Sequence, residues 1–304
     1  MRFQKDKSLK KISTFCIGGK AEHFFETKDP TSLIEAAECA EKKGIPWSVI
    51  GEGSNTLFPD GKTKGLLLRL HGGSIRKKGK YVAVSAGLSL SELVDYSVKR
   101  GFEGLESLAG IPGTVAGAIV GNAGAYGHSI SESVARVEVW EKGRRKWLPR
   151  RACGFGYRES EFKCRKCLVL QAEFSLKKGN KKAVSERARR ILSERAKKYP
   201  KGLKCPGSFF KNPLVVQVSK QALRKIDHEK IVDGKIPAGY LLEEVGAKGM
   251  HLGRICVADY QGNLFINMGR GTEAQVKKLA EILKERVRRR FDIVLNEEVR
   301  TWES

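Results

Sequence analysis

Gly110-Ile111-Pro112-Gly113-Thr114-Val115-Ala116-Gly117-Ala118 leads into Asn122-Ala123-Gly124-Ala125-Tyr126-Gly127, an almost uncharged run in a chain in which 30% of residues are charged. Its small residues leave room for something flat and large to lie against the backbone. Thr114 and Asn122 can supply hydrogen bonds to a polar ring edge or a phosphate. Taken alone, the run also fits a tightly packed glycine-rich helix and turn. A second glycine-rich turn lies upstream, Gly51-Glu52-Gly53-Ser54-Asn55-Thr56, after strand-like Trp47 to Ile50. Gly51 and Gly53 let the main chain approach an anion, successive N–H groups can form a nest around it, and Ser54 and Asn55 add side-chain donors. Two such elements flanking a strand-and-helix unit favour a cofactor site over simple packing. Two nucleotide motifs come close and fail. The dinucleotide fingerprint that Gly51-Glu52-Gly53 would begin has Thr56 in place of its last glycine. Gly61-Lys62-Thr63 resembles the tail of a P-loop but lacks the required upstream glycine and precedes a strand.

Outward from these turns the pattern alternates. Asp29-Pro30-Thr31 opens a helix through about Lys43, which Gly44 ends. Leu66 to Leu70 and Tyr81 to Ala86 read as strands. Ser89 to Arg100 is an amphipathic helix with Leu90, Leu93, Val94 and Val98 on one face and Gly101 as its stop. Strands resume from Val134 to Leu176, and a basic helix covers roughly Lys181 to Lys198. The break Tyr199-Pro200-Lys201-Gly202 marks a boundary, giving expected domains at 1–195 and 200–304. In the second, Thr272 and Gln275 form a capping box for a last long helix with Val276, Leu279, Ala280, Leu283 and Val287 as its buried stripe. Val294 to Trp302 reads as a closing strand carrying Glu297 and Glu298.

Composition narrows the function. The chain has 304 residues, and 58 Lys+Arg against 34 Asp+Glu give a net charge of +24. The length supports two domains with real cores. No apolar run approaches the ~18 residues of a membrane span, and the start, Met1-Arg2-Phe3-Gln4-Lys5, lacks a signal-peptide pattern. The expected compartment is the cytoplasm. The cations are spread along the chain, with the densest runs on helices, where a solvated face is the ordinary outcome. No nucleic-acid-binding signature accompanies them. Seven cysteines at irregular spacing are no disulfide framework. Cys164-Arg165-Lys166-Cys167 has no second ligand pair for zinc and runs into a strand, so it reads as incidental thiols. No metal is expected.

Six motifs in order carry a resemblance: Ile50 to Asn55, Gly110 to Ala118, Asn122 to Gly127, Gly156-Tyr157-Arg158-Glu159-Ser160-Glu161-Phe162-Lys163, Gly207-Ser208-Phe209-Phe210-Lys211-Asn212-Pro213, and Leu295-Asn296-Glu297-Glu298-Val299-Arg300. Together they resemble the UDP-N-acetylenolpyruvoylglucosamine reductases, the flavin enzymes of bacterial cell-wall precursor synthesis. The short interval between Arg158 and Ser208 is similar to their shorter subclass. The resemblance implies an α+β fold, a PCMH-type (vanillyl-alcohol-oxidase-like) FAD-binding domain followed by a smaller α+β substrate-binding domain. It implies an oxidoreductase in which NADPH reduces FAD, and the flavin then reduces the enolpyruvyl double bond of a UDP-sugar to a lactyl ether. By the same resemblance the FAD contacts fall at Gly51, Gly53, Ser54, Asn55, Thr56, Gly113, Thr114, Ala116, Gly117, Asn122 and Gly124. Ser208 is the proton donor, Arg158 the active-site arginine and Glu298 the catalytic glutamate, with Tyr157 and Asn212 at the substrate. Gln261-Gly262-Asn263 stands where the family commonly has His-Ala-Asn. The readings this leaves aside are another FAD oxidoreductase on the same scaffold and a basic nucleic-acid-binding protein.

Overall fold

Asp29 shows how closely local sequence sets the elements. Its carboxylate accepts from Thr31 N at 3.1 Å and Ser32 N at 2.9 Å, and Pro30, whose missing N–H costs nothing there, opens the helix Pro30–Lys42. The computed structural model describes residues 1–302 and divides into two compact units, neither continuous in sequence. The first comprises 1–7, 21–52 and 64–201; the second comprises 8–20, 53–63 and 202–304. The break expected near residue 200 is a unit boundary, but two short N-terminal stretches also fold with the C-terminal part.

In the first unit, strands Gln4–Ser8, Lys20–Thr27, Lys62–Leu70 and Trp47–Ile50 form one sheet in that order. Trp47–Ile50 runs parallel to Lys62–Leu70, with Pro30–Lys42 as the helix before it. A five-stranded antiparallel sheet has the order Arg144–Pro149, Val134–Glu141, Leu168–Phe174, Tyr81–Ser85, Ile75–Lys78. Helix Leu90–Arg100 starts on a Ser89–Glu92 capping box and stops at Gly101 in the left-handed region. Its buried face is Leu90, Leu93, Val94 and Ser97, whereas Val98 is only half-buried. Ser97 is tolerated inside because its hydroxyl donates to Phe102 O at 2.9 Å.

In the second unit, His251–Leu252, Ile255–Ala258 and Gln261–Asn267 form a three-stranded antiparallel sheet. The helix Glu273–Phe291 has the expected capping box at Thr272 and Gln275 and buries Val276, Leu279, Ala280, Leu283 and Val287. Phe209 stacks on Phe265 at 4.3 Å and meets Phe210 edge-on at 5.0 Å, and all three are essentially fully buried in the core. The closing segment departs from the expected long strand. Only Arg300–Thr301 is a strand, paired in parallel with Thr56–Leu57, while Glu297 makes an isolated bridge to Phe210. Its partners come from opposite ends of the chain, so no continuous ladder forms.

Candidate active site

Ser208 follows Gly207, whose φ of +89° only glycine adopts freely. A Cβ on Gly207 would meet nothing within 4 Å, so the glycine serves the backbone turn and not a crowded site. Beyond Ser208 the chain is fixed at every step. Phe209 N donates to Asn263 O at 3.0 Å. Phe210 exchanges two hydrogen bonds of 2.8 Å with the Asn263 side chain. Glu298 N donates to Phe209 O at 2.8 Å. Ser208 and Glu298, 90 positions apart, are thereby held on neighbouring backbones, and both are half-buried. Asn263, buried at 3% exposure, is the clamp that sequence reading missed. An Asn between Gly and Leu at a strand carries no mark of the segment it binds.

The turn Gly53 to Thr56 belongs to this same unit. Its carbonyls are taken by the protein's own donors: Gly53 O by Thr14 N at 3.3 Å, Asn55 O by Arg300 N at 3.1 Å, Thr56 O by the Ser13 hydroxyl at 3.4 Å. The Thr14 hydroxyl bonds Cys205 O at 2.9 Å and lies 3.4 Å from Ser54 O. Asn55 Nδ2 donates to Glu298 O at 3.0 Å. Ser13 and Thr14 carried no sequence signal, because an ordinary Ser-Thr pair gains its role only from distant carbonyls. Asn212 accepts from Ala238 N at 3.0 Å through Oδ1, at the start of helix Ala238–Glu244. Beside Glu298, Lys284 reaches Glu281 at 2.7 Å and Glu297 at 3.3 Å. Burial works against its ammonium, yet the two carboxylates hold its pKa above the ordinary lysine value.

The first unit gathers the remaining expected residues. Tyr157 and Arg158 sit at the tip of a reverse turn closed by Gly156 and Glu159, which exchange hydrogen bonds of 3.0 and 3.1 Å. Arg158 is left-handed, φ +58°. Its guanidinium lies 5.4 Å from the Tyr157 ring, and a Cβ on Gly124 would come within 3.1 Å of its Nη1. Gly51 backs onto Thr114 so closely that a Cβ would meet the hydroxyl at 2.7 Å, which joins the two glycine-rich elements. The side chains expected to meet a cofactor are already engaged. Thr114 Oγ1 accepts from Gly117 N at 3.1 Å, capping the short helix Val115–Val120. Asn122 donates to Gly156 O at 2.7 Å and accepts from Ser131 N at 3.3 Å, so it supports the Arg158 turn. Gly113 and Ala116 are held through their own backbones, Gly113 O accepting from Leu90 N and Ala116 N donating to Ala86 O, each at 2.8 Å. Burial pushes the Cys167 thiol up to about 11, which disfavours its thiolate.

These features fit FAD. At the turn Gly53 to Thr56, carbonyls that would repel a diphosphate are occupied within the protein.

The comparisons agree with this geometry. Residues 199–302 match the family described as UDP-N-acetylenolpyruvoylglucosamine reductase, C-terminal domain, and residues 21–144 match the FAD binding domain family. A UDP-N-acetylenolpyruvoylglucosamine reductase of Solibacter usitatus is 39% identical over 96% of this chain and 94% of its own length. One of Rubrobacter xylanophilus is 32% identical over 97% and 93%. The crystal structure of the Thermus caldophilus reductase superposes with a TM-score of 0.80 at 28% identity, covering all of both chains. On this agreement along its whole length, the chain belongs to the UDP-N-acetylenolpyruvoylglucosamine reductase family.

Proposed function

We propose that Ser208, Arg158 and Glu298 act on the substrate in the family's reaction. That reaction is the NADPH-driven reduction of UDP-N-acetylglucosamine enolpyruvate to UDP-N-acetylmuramate, an FAD-dependent step of peptidoglycan precursor synthesis. FAD, when bound, supplies the hydride chemistry. What the chain must add is charge control and a proton. Addition at the carbon β to the substrate carboxylate leaves an enolate, and the Ser208 hydroxyl is the donor that protonates its α-carbon. A serine is a weak acid, but an enolate is basic enough to take its proton. Arg158 pairs with the substrate carboxylate through its two-pronged guanidinium and stabilises the charge growing there. Glu298 orients that chemistry on the enolate side. Tyr157 and Asn212 complete the substrate contacts. The turn amides of Gly51 to Thr56, with Gly113, Thr114, Ala116, Gly117, Asn122 and Gly124, hold the FAD, Thr114 and Asn122 acting through the backbone they brace.

The observation that carries this reading is the Phe209–Glu298 backbone bond, which fixes the serine and the glutamate side by side. The reading places the enzyme in the cytoplasm, working on small anionic substrates and not on nucleic acid or membrane. Among the described residues no helix is long and apolar enough to cross a membrane. Half-reactions test it. In Ser208→Ala, NADPH should bleach the flavin at the wild-type rate. Reoxidation by the enolpyruvyl substrate should fall at least ~100-fold. Undiminished reoxidation would remove Ser208 from the role.

A further inference from the structure

The match to the FAD binding domain family spans residues 21–144 and so includes Asn55. Yet residues 53–63 pack as part of the unit formed by 202–304. Asn55 is where the two assignments meet. Its side-chain amide donates to Glu298 O at 3.0 Å across 243 positions of sequence. Its own carbonyl accepts from Arg300 N at 3.1 Å, and two residues on, Leu57 O accepts from Trp302 N at 2.8 Å. Between these bonds Thr56 and Leu57 pair with Arg300 and Thr301. Glu298 in turn donates its N–H to Phe209 O, next to Ser208. The backbone proposed to cradle a diphosphate is therefore joined to the segment of the proposed catalytic glutamate by the short pairing at 300–302, and to the Glu298 carbonyl itself by one side-chain hydrogen bond.

We infer that Asn55 is a positioning residue for Glu298, so that filling the FAD turn and seating the Glu298 segment are one linked event. The inference rests on the FAD reading above. An anion bound to the turn amides restricts the backbone of residues 53–56 to one conformation. The Asn55 amide passes that restriction to the Glu298 carbonyl, and linkage requires the effect to run both ways. One of the two amide N–H groups of the side chain is committed to Glu298 O. A short amide suits this position. It is neutral, it reaches the neighbouring Glu298 backbone, and it donates where alanine would leave a carbonyl without its partner.

Hydrogen–deuterium exchange on the full chain, stripped of flavin and then reloaded, reads the link directly. In the wild type, FAD should slow exchange both in residues 51–57 and in residues 298–302. In Asn55→Ala the first protection should persist, and the second should weaken about threefold to tenfold, the worth of one hydrogen bond. With the variant saturated with FAD, reoxidation by the enolpyruvyl sugar should slow by a similar factor. Asn55→Asp serves if the alanine variant folds poorly. It removes the donor at neutral pH, and lowering the pH toward the carboxyl's ordinary pKa of about 4 should restore protection as the protonated group donates again. Protection of residues 51–57 with no change at 298–302 in the wild type overturns the proposal. Wild-type linkage that survives in both variants overturns it too. A chain that takes up no FAD removes the functional reading along with it.

Discussion

Arg158 holds a conformation that its side chain disfavours. A left-handed non-glycine residue costs about 1–3 kcal/mol and persists where the surroundings impose it. Here the imposing parts are the Gly156–Glu159 closure and the Asn122 amide on Gly156 O. Arg158→Gly should therefore melt at or above the wild-type temperature, while turnover of the enolpyruvyl sugar falls about 100-fold or more. Thermal melts and steady-state rates on one preparation check both halves; a destabilised variant would show that the backbone is not the source of strain. At this scale the sequence spoke unevenly. Ser208, Arg158 and Glu298 stood out only through ordered motifs, because each alone reads as a turn hydroxyl or a surface charge. Gly51 and Gly124, expected to make room for a cofactor, lie against the protein's own Thr114 hydroxyl and His128 carbonyl. Thr114 and Asn122 looked like free donors, since nothing in a sequence shows that a Gly117 amide or a Gly156 carbonyl already uses them.

Elements were legible where their causes are local. Asp29, the Ser89–Glu92 pair and the Thr272–Gln275 pair each cap a helix from within three residues, so the signals survive without tertiary knowledge. The closing segment was misread because its partners at 55–57 and 209–210 are remote. Cross-strand charge is equally hidden. Glu173, with a fully buried side chain, takes two hydrogen bonds from Arg136 at 2.6 and 3.1 Å and pairs with Lys78 at 3.3 Å. The Arg136 guanidinium lies 4.4 Å from the Trp147 ring. Arg136 first, then Lys78, hold the Glu173 carboxyl below its ordinary value of 4.5, against the opposing effect of burial. The folded pKa is the lower one, so this stabilisation is complete above the unfolded value near 4.5 and drains as pH falls through the folded pKa. Arg136→Ala should cost about 1–3 kcal/mol at pH 7 and less in acid, once the pH has fallen below the lowered folded pKa and the carboxyl is protonated. Urea titrations at the two pH values measure the difference; an equal loss at both would assign the effect to packing on Trp147.

At the scale of the molecule, part of the charge gains a structural reason. The two edge strands of the five-stranded sheet are Ile75–Lys78 and Arg144–Pro149. Exposed Arg76, Lys77 and Lys78 lie on one, and exposed Arg144, Arg145 and Lys146 on the other. Cations on an open edge deter another chain from pairing there. The same excess attracts NADPH and the UDP-sugar, both polyanions. Raising salt from about 0.05 to about 0.5 M should lower the flavin-reduction rate severalfold at limiting NADPH and leave the saturated rate unchanged. Stopped-flow traces at several ionic strengths test this, and a salt-independent rate at low NADPH would rule out steering. Composition disclosed the total charge; the placement needed strand order, which no local pattern encodes.

The second unit is assembled from three separate stretches, and its last pairing joins Thr56–Leu57 to Arg300–Thr301. On the ribosome, Phe15, Ile17 and Leu57 therefore emerge early and have no permanent shelter until nearly the whole polypeptide has been made. Their burial beside Phe209 and Leu295 in one core ties the newborn N-terminus to the fate of the final residues. Such late closure slows folding and lengthens the window in which apolar surface is open to mispairing. Cutting this chain at residue 200 would thus yield a first half still carrying fragments of the other half's interior.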